Sequence, residues 1–132
     1  MDLDIRVVPV RDFVIVYNSE SDQLDEKRSG RWIYFSKDSE LGSSLARSAV
    51  RKNIVAEAKY MRSGAGPVSF YLNADDRENH RTLISWFLEK DLLPKDREGN
   101  LREQRFIPDS GAVIGRDIVL SDFVDLATGK LR

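Results

Sequence analysis

The chain predicts an α+β fold: a single domain over residues 1–132, built as a curved, mainly antiparallel sheet with two helices on one face, in the order β-β-α-β-β-α-β-β. Three observations carry this. Residues 54–73 read as two strands, with Ile54, Ala56, Ala58 and Tyr60 on one face of the first and Val68, Phe70 and Leu72 on one face of the second. Side chains alternate across a strand, so each has an apolar face and a mixed one. Ser63-Gly64-Ala65-Gly66-Pro67 between them supplies the reversal. Two segments with helical spacing flank this hairpin, and further alternating segments lie outside them. Helices recurring after pairs of strands point to α+β architecture.

Each element has its own signal. Residues 3–10 alternate weakly and reach Pro9, which suits an edge strand. Residues 13–18, FVIVYN, are apolar on both faces and read as an interior strand. Residues 18–30 are polar and long for a hairpin loop, a surface excursion or the cover of a site. Residues 31–36 form the next strand, with Ile33 and Phe35 on one face and Trp32 and Tyr34 on the other. Ser39 to Asn53 reads as a helix with Leu41, Leu45, Ala49 and Lys52 at helical spacing, capped by Ser39 or Ser43. A second helix, capped by Asn73 or Asp75, runs to about Asp91 on a stripe of Leu83, Ile84, Phe87 and Leu88, with His80 one turn upstream. Residues 101–108 and 112–120 read as two last strands, with Gly115 a bulge, and Ser121 caps a final helical turn.

Composition narrows the function classes. Hydrophobic residues make up 41% and charged residues 33% of the 132, which argues against wholesale disorder. The formal net charge of -1 argues against general nucleic-acid binding. With no cysteine there is no disulfide, thiolate metal site or cysteine nucleophile. One histidine leaves no zinc set, and His80 sits on a packing stripe rather than in an acid–base pair. Asp75, Asp76 and Glu78 open a helix, where acids favour the dipole. Gly64-Ala65-Gly66 lacks the lysine and the strand-to-helix setting of a phosphate loop. No cofactor or metal is expected. No apolar run reaches a membrane span, and the acidic start is unlike a signal peptide, so the expectation is a cytoplasmic protein without a membrane partner.

The candidate site is the open sheet face. If the helices cover Ile33, Phe35, Phe70 and Leu72, the other face carries Trp32, Tyr34, Glu57, Lys59, Ser69 and Tyr71, with Glu103 and Arg105 added from strand 101–108. Aromatic rings stack on bases, and lysine or arginine holds phosphate. The basic run Arg47, Arg51, Lys52, Lys59 and Arg62, interrupted only by Glu57, supplies further cations. Trp32, Tyr34, Lys59, Arg62, Tyr71 and Arg105 are therefore the ligand-binding candidates, for an anionic, phosphorylated or nucleotide-like molecule. The structural alternative is ordinary: strand aromatics pack under loops, and helix-face cations are solvated. The same residue types also anchor protein interfaces, so an inhibitor, immunity or adaptor protein is the second reading.

Gly30-Arg31-Trp32-Ile33-Tyr34-Phe35 resembles the glycine, basic, tryptophan, apolar, aromatic strand of the uncharacterised phosphothreonine lyase-like domain family, the basophilic-leukaemia-expressed protein group. Ala58-Lys59, Val68 to Leu72, the helix 76–91 and Phe106 to Gly115 follow in a similar order, so the resemblance spans roughly residues 30–116. Ser110-Gly111-Ala112 departs from the polar and aromatic stretch of that pattern. The resemblance implies a fold similar to the cap-binding translation initiation factor, with Lys59 and Arg105 facing phosphate. It also implies a third reading, a phosphate lyase-like enzyme with Lys59 as base.

Overall fold

The computed structural model describes residues 2–132. It contains one six-stranded antiparallel sheet, not closed into a barrel, and two helices. The strands are β1 (Arg6–Val10), β2 (Phe13–Tyr17), β3 (Ser29–Ser36), β4 (Glu57–Met61), β5 (Gly66–Asn73) and β6 (Ile107–Pro108). They lie in the order β1-β2-β4-β5-β3-β6. Helix α1 (Ser39–Arg51) follows β3, and α2 (Arg77–Glu89) follows β5. The α+β class is as the sequence predicts.

The element order differs from the expected one. Three strands precede α1, as the separate readings of 3–10, 13–18 and 31–36 require and the β-β-α-β-β-α-β-β order does not, and a single two-residue strand follows α2. Residues 112–120 form no strand, because Gly115, Arg116 and Asp117 break the apolar run and stay exposed. It finds isolated partners at both ends: the Val113 amide donates to the Lys27 carbonyl at 2.8 Å, the Phe106 amide to the Ile118 carbonyl at 2.9 Å, and the Leu120 amide to the Gln104 carbonyl at 2.8 Å. That pairing draws residues 103–106 away from β3, which leaves β6 short.

Local chemistry sets the helix ends. Asp38, not a serine, caps α1, its carboxylate accepting from the Leu41 amide at 2.8 Å. Asp76 caps α2 through the Asn79 amide at 3.3 Å. Both choices satisfy an amide that a helix start leaves unpaired. At the other end of α1, buried Asn18 donates to the Val50 carbonyl at 2.8 Å and to Asn53 Oδ1 at 3.1 Å, tying the exit of β2 to the helix C-terminus.

Both helices cover the same sheet face. A side chain added at Gly42 of α1 would meet Tyr60 and Val68, each at 3.4 Å, so the helix backbone lies close on β4 and β5. From α2, Trp86 and Phe87 pack edge-on against Phe70, with ring centroids 5.7 and 5.2 Å away. Val14, Val16, Trp32, Ala58, Val68 and Leu72 join Phe70 in this core. The other sheet face carries no helix.

Candidate functional site

Cross-strand partners point to the same side of a sheet, so the register fixes what the uncovered face carries. One row runs Tyr17, Glu57, Tyr71, Arg31 and Ile107 across β2, β4, β5, β3 and β6. The next runs Val8, Ile15, Lys59, Ser69 and Ile33. Towards the end of the sheet lie Val10, Phe13 and Met61, with Pro67 and Phe35 beyond.

The register corrects the expected phase of β3. Trp32 pairs with Phe70 and Tyr34 with Val68, both on the helix-covered face. Trp32 is only 2% exposed, and its indole N–H donates to His80 Nδ1 at 2.9 Å. Neither ring is on the open face to stack on a ligand there. In their place stand Arg31, Ile33 and Phe35, the last 75% exposed.

The remaining candidates separate. Lys59 and Tyr71 do stand on the open face. Arg62 lies past the end of β4, where its guanidinium donates to the Arg11 carbonyl at 3.4 Å. Arg105 belongs to no strand but borders the face, lining a cavity of about 550 Å³ with Trp32, Ile33, Phe35 and Ile107, and it pairs with Asp117 at 3.1 Å. Glu103 lines the same cavity, its carboxylate accepting from the Ser121 hydroxyl at 2.6 Å. The basic run does not gather, since α1 carries Arg47 and Arg51 over one side of the sheet and Lys59 leaves the other.

The polar groups of the open face are mostly engaged with one another. Arg31 pairs with Asp109 at 3.2 Å, and Ser29 donates to the other oxygen of Asp109 at 2.7 Å. The Lys59 ammonium rests over the Phe13 ring, 4.5 Å from its centroid, a cation–π contact rather than an ion pair. Glu57 is different: among the described residues it has neither a hydrogen bond nor an ion pair through its carboxylate. Burial pushes that carboxyl above the usual carboxylate range, Asp109 adds to the shift, and Lys59 opposes it. Apolar side chains surround these few charges, and Val8, Val10, Phe35 and Ile107 are exposed.

A second concavity, a cavity of about 510 Å³, lies at the start of α2. Ala74, Val113, Ile114, Ile118 and Phe123 line it, and Arg28, Arg77 and Arg116 stand at its edge. Arg28 is held by Asp75 at 2.6 Å and Asp25 at 3.1 Å, and Arg116 by Asp122 at 3.3 Å. Arg77 lies over the Phe123 ring at 4.9 Å.

Among the described residues no group of three or more acidic or histidine side chains could hold a metal, and no helix is long and apolar enough to cross a membrane. Comparison with known proteins finds no matching family model, no matching curated protein and no matching solved structure.

Arg31, Ile33, Phe35, Tyr17 and Val10 are the site residues that reading the sequence misses. For β3 the signal was present. Arg31 shares a strand face with Ile33 and Phe35, and a charged member marks that face as the wetter one.

Proposed function

We propose that this chain is a protein–protein interaction module that docks its partner on the open face of the sheet. The observation that carries the reading is the exposure of Val8, Val10, Phe35 and Ile107 on one face otherwise left without a helix. Large apolar side chains left exposed on a sheet face are a usual mark of a macromolecular contact. Of the cations there, Arg31 is committed to Asp109 and Lys59 rests on Phe13, which leaves phosphate Arg6 at the β1 edge. The test is capture from the native host with wild-type chain and with a Val10→Asp, Phe35→Asp double variant. A partner retained by the first and lost by the second, at unchanged melting temperature, supports the reading. A capture set identical for both chains overturns it.

The anionic-ligand reading takes second place, and one observation favours it at a different position: the three arginines around the cavity at the start of α2. A thermal-shift panel of nucleotides, phosphopeptides and sugar phosphates tests it, because a ligand that binds only the folded state raises the melting temperature. A hit abolished by Arg77→Ala would move the site to that cavity, and no hit would remove this reading.

A further inference from the structure

Glu57 opens β4, in the row Tyr17-Glu57-Tyr71 at one end of the open face, and among the described residues its carboxylate has neither a hydrogen bond nor an ion pair. Its two cross-strand neighbours are aromatic, Tyr17 on β2 and Tyr71 on β5. The nearest lysine, two residues along β4, is turned onto Phe13. Two arginines share its row, each two strands away: Arg31 on β3, held by Asp109, and Arg6 at the β1 edge beyond Tyr17. Half-burying a carboxylate without a partner costs stability, and the cost falls when a cation arrives. Rings flanking the carboxylate favour that same visitor, since a cation is attracted to an aromatic face. The apolar surroundings add a further requirement, because whatever brings the cation must also cover Ile15, Ile33 and Phe35.

We propose that Glu57, flanked by Tyr17 and Tyr71, is the anchor for a lysine or arginine side chain that the docking partner presents from within an apolar patch. The inference rests on the open face being the interface and adds the chemistry of the partner to it. Charge complementarity selects the occupant. A partner with an acidic or wholly apolar centre would leave the Glu57 carboxylate buried and unpaired, whereas a basic centre neutralises it and gains charge-assisted hydrogen bonds.

The experiment uses a displayed library of random twelve-residue peptides selected on the intact chain. Binders are then measured against wild type, Glu57→Gln, and the Val10→Asp, Phe35→Asp double variant, each first shown to be folded by its thermal transition. The expected binders are lost by the double variant and contain a lysine or arginine. Replacing that residue by a neutral isostere, citrulline for arginine, weakens binding to wild type by about tenfold or more. The same replacement leaves binding to Glu57→Gln almost unchanged, so the two effects are coupled in a double-mutant cycle. Binders that need the open face but carry no coupled cation overturn the role of Glu57 and leave the interface standing. Selection that yields no binder, or only binders indifferent to the double variant, overturns both.

Discussion

Trp32 and His80 share one hydrogen-bond arrangement that allows only one proton placement. The Trp32 indole N–H donates to His80 Nδ1 at 2.9 Å, and His80 Nε2 lies 2.9 Å from the Asn73 carbonyl. Nδ1 must accept and Nε2 must donate, so the imidazole is neutral, stacked on Phe123 and met edge-on by Phe106. The other tryptophan gives the contrast: Trp86 is buried with no partner for its indole nitrogen. Trp→Phe therefore has different consequences at the two sites. At position 32 it orphans a buried acceptor, an added penalty of about 1–3 kcal/mol, whereas at position 86 it removes a donor that had nothing to bond. Chemical denaturation should show Trp32→Phe to be the more destabilising by about 1–2 kcal/mol. Equal losses would mean that the Trp32–His80 bond adds nothing. Glu57 makes the opposite kind of prediction. Burial and nearby Asp109 disfavour its charged form, so Glu57→Gln should raise the melting temperature at pH 7 while weakening the hold on any cationic partner. A lowered melting temperature would mean that Glu57 has a stabilising contact in the fold.

At the scale of the element, the close approach of β3 and β6 depends on one residue without a side chain. A Cβ at Gly30 would come within 2.5 Å of both the Ile107 carbonyl and the Phe106 ring. The first is backbone and the second is core, so neither yields cheaply. Gly30→Ala should cost about 1–3 kcal/mol by overpacking, and amide exchange should show the loss concentrated in β6 and its neighbours. A substitution without effect would mean that β6 is already detached in solution. The elements that a sequence reveals are those with an unambiguous period. Leu83, Ile84 and Phe87 mark α2, and Val68, Phe70 and Leu72 mark β5, each bearing its apolar residues on one side. Strand β3 is apolar on both sides, so its alternation cannot say which side is inward, and Trp32 and Tyr34 fall on the helix side while Phe35 does not. The site inherits that ambiguity, because one residue of phase moves a whole strand to the other face. Lys59 and Tyr71, on strands with a clear period, are read on the correct face. Residues 101–120 mislead for another reason. Their apolar residues serve irregular chain that packs through Phe106, Ile118, Leu120 and Phe123, with single bridges in place of a ladder.

For the whole molecule, two buried titrating groups pull stability in opposite directions as the solution is acidified. Burial depresses the His80 pKa below its ordinary 6.5, partly offset by contacts with Asn73 and Ala74. Below pH 6.5 the unfolded chain takes up this proton and the folded chain does not, so stability falls as pH drops from 6.5 towards the folded value. Glu57 is displaced the other way, its folded pKa raised above the ordinary 4.5 by burial and by Asp109. As pH falls through that raised value towards 4.5, the folded chain takes up the proton first, and stability rises. The exposed carboxylates of Asp25, Asp75 and Asp125 are held below 3.8 and lose their contribution only on further acidification. Between pH 6.5 and 4.5 the loss at His80 and the gain at Glu57 oppose each other, which flattens the dependence of the wild-type melting temperature on pH. Glu57→Gln removes the compensating group and keeps His80, so its melting temperature should start higher at pH 7 and fall more steeply towards pH 4.5. Parallel curves for the two proteins would mean that Glu57 titrates alike folded and unfolded. That would also remove the electrostatic basis for a cation beside Glu57 on the open face.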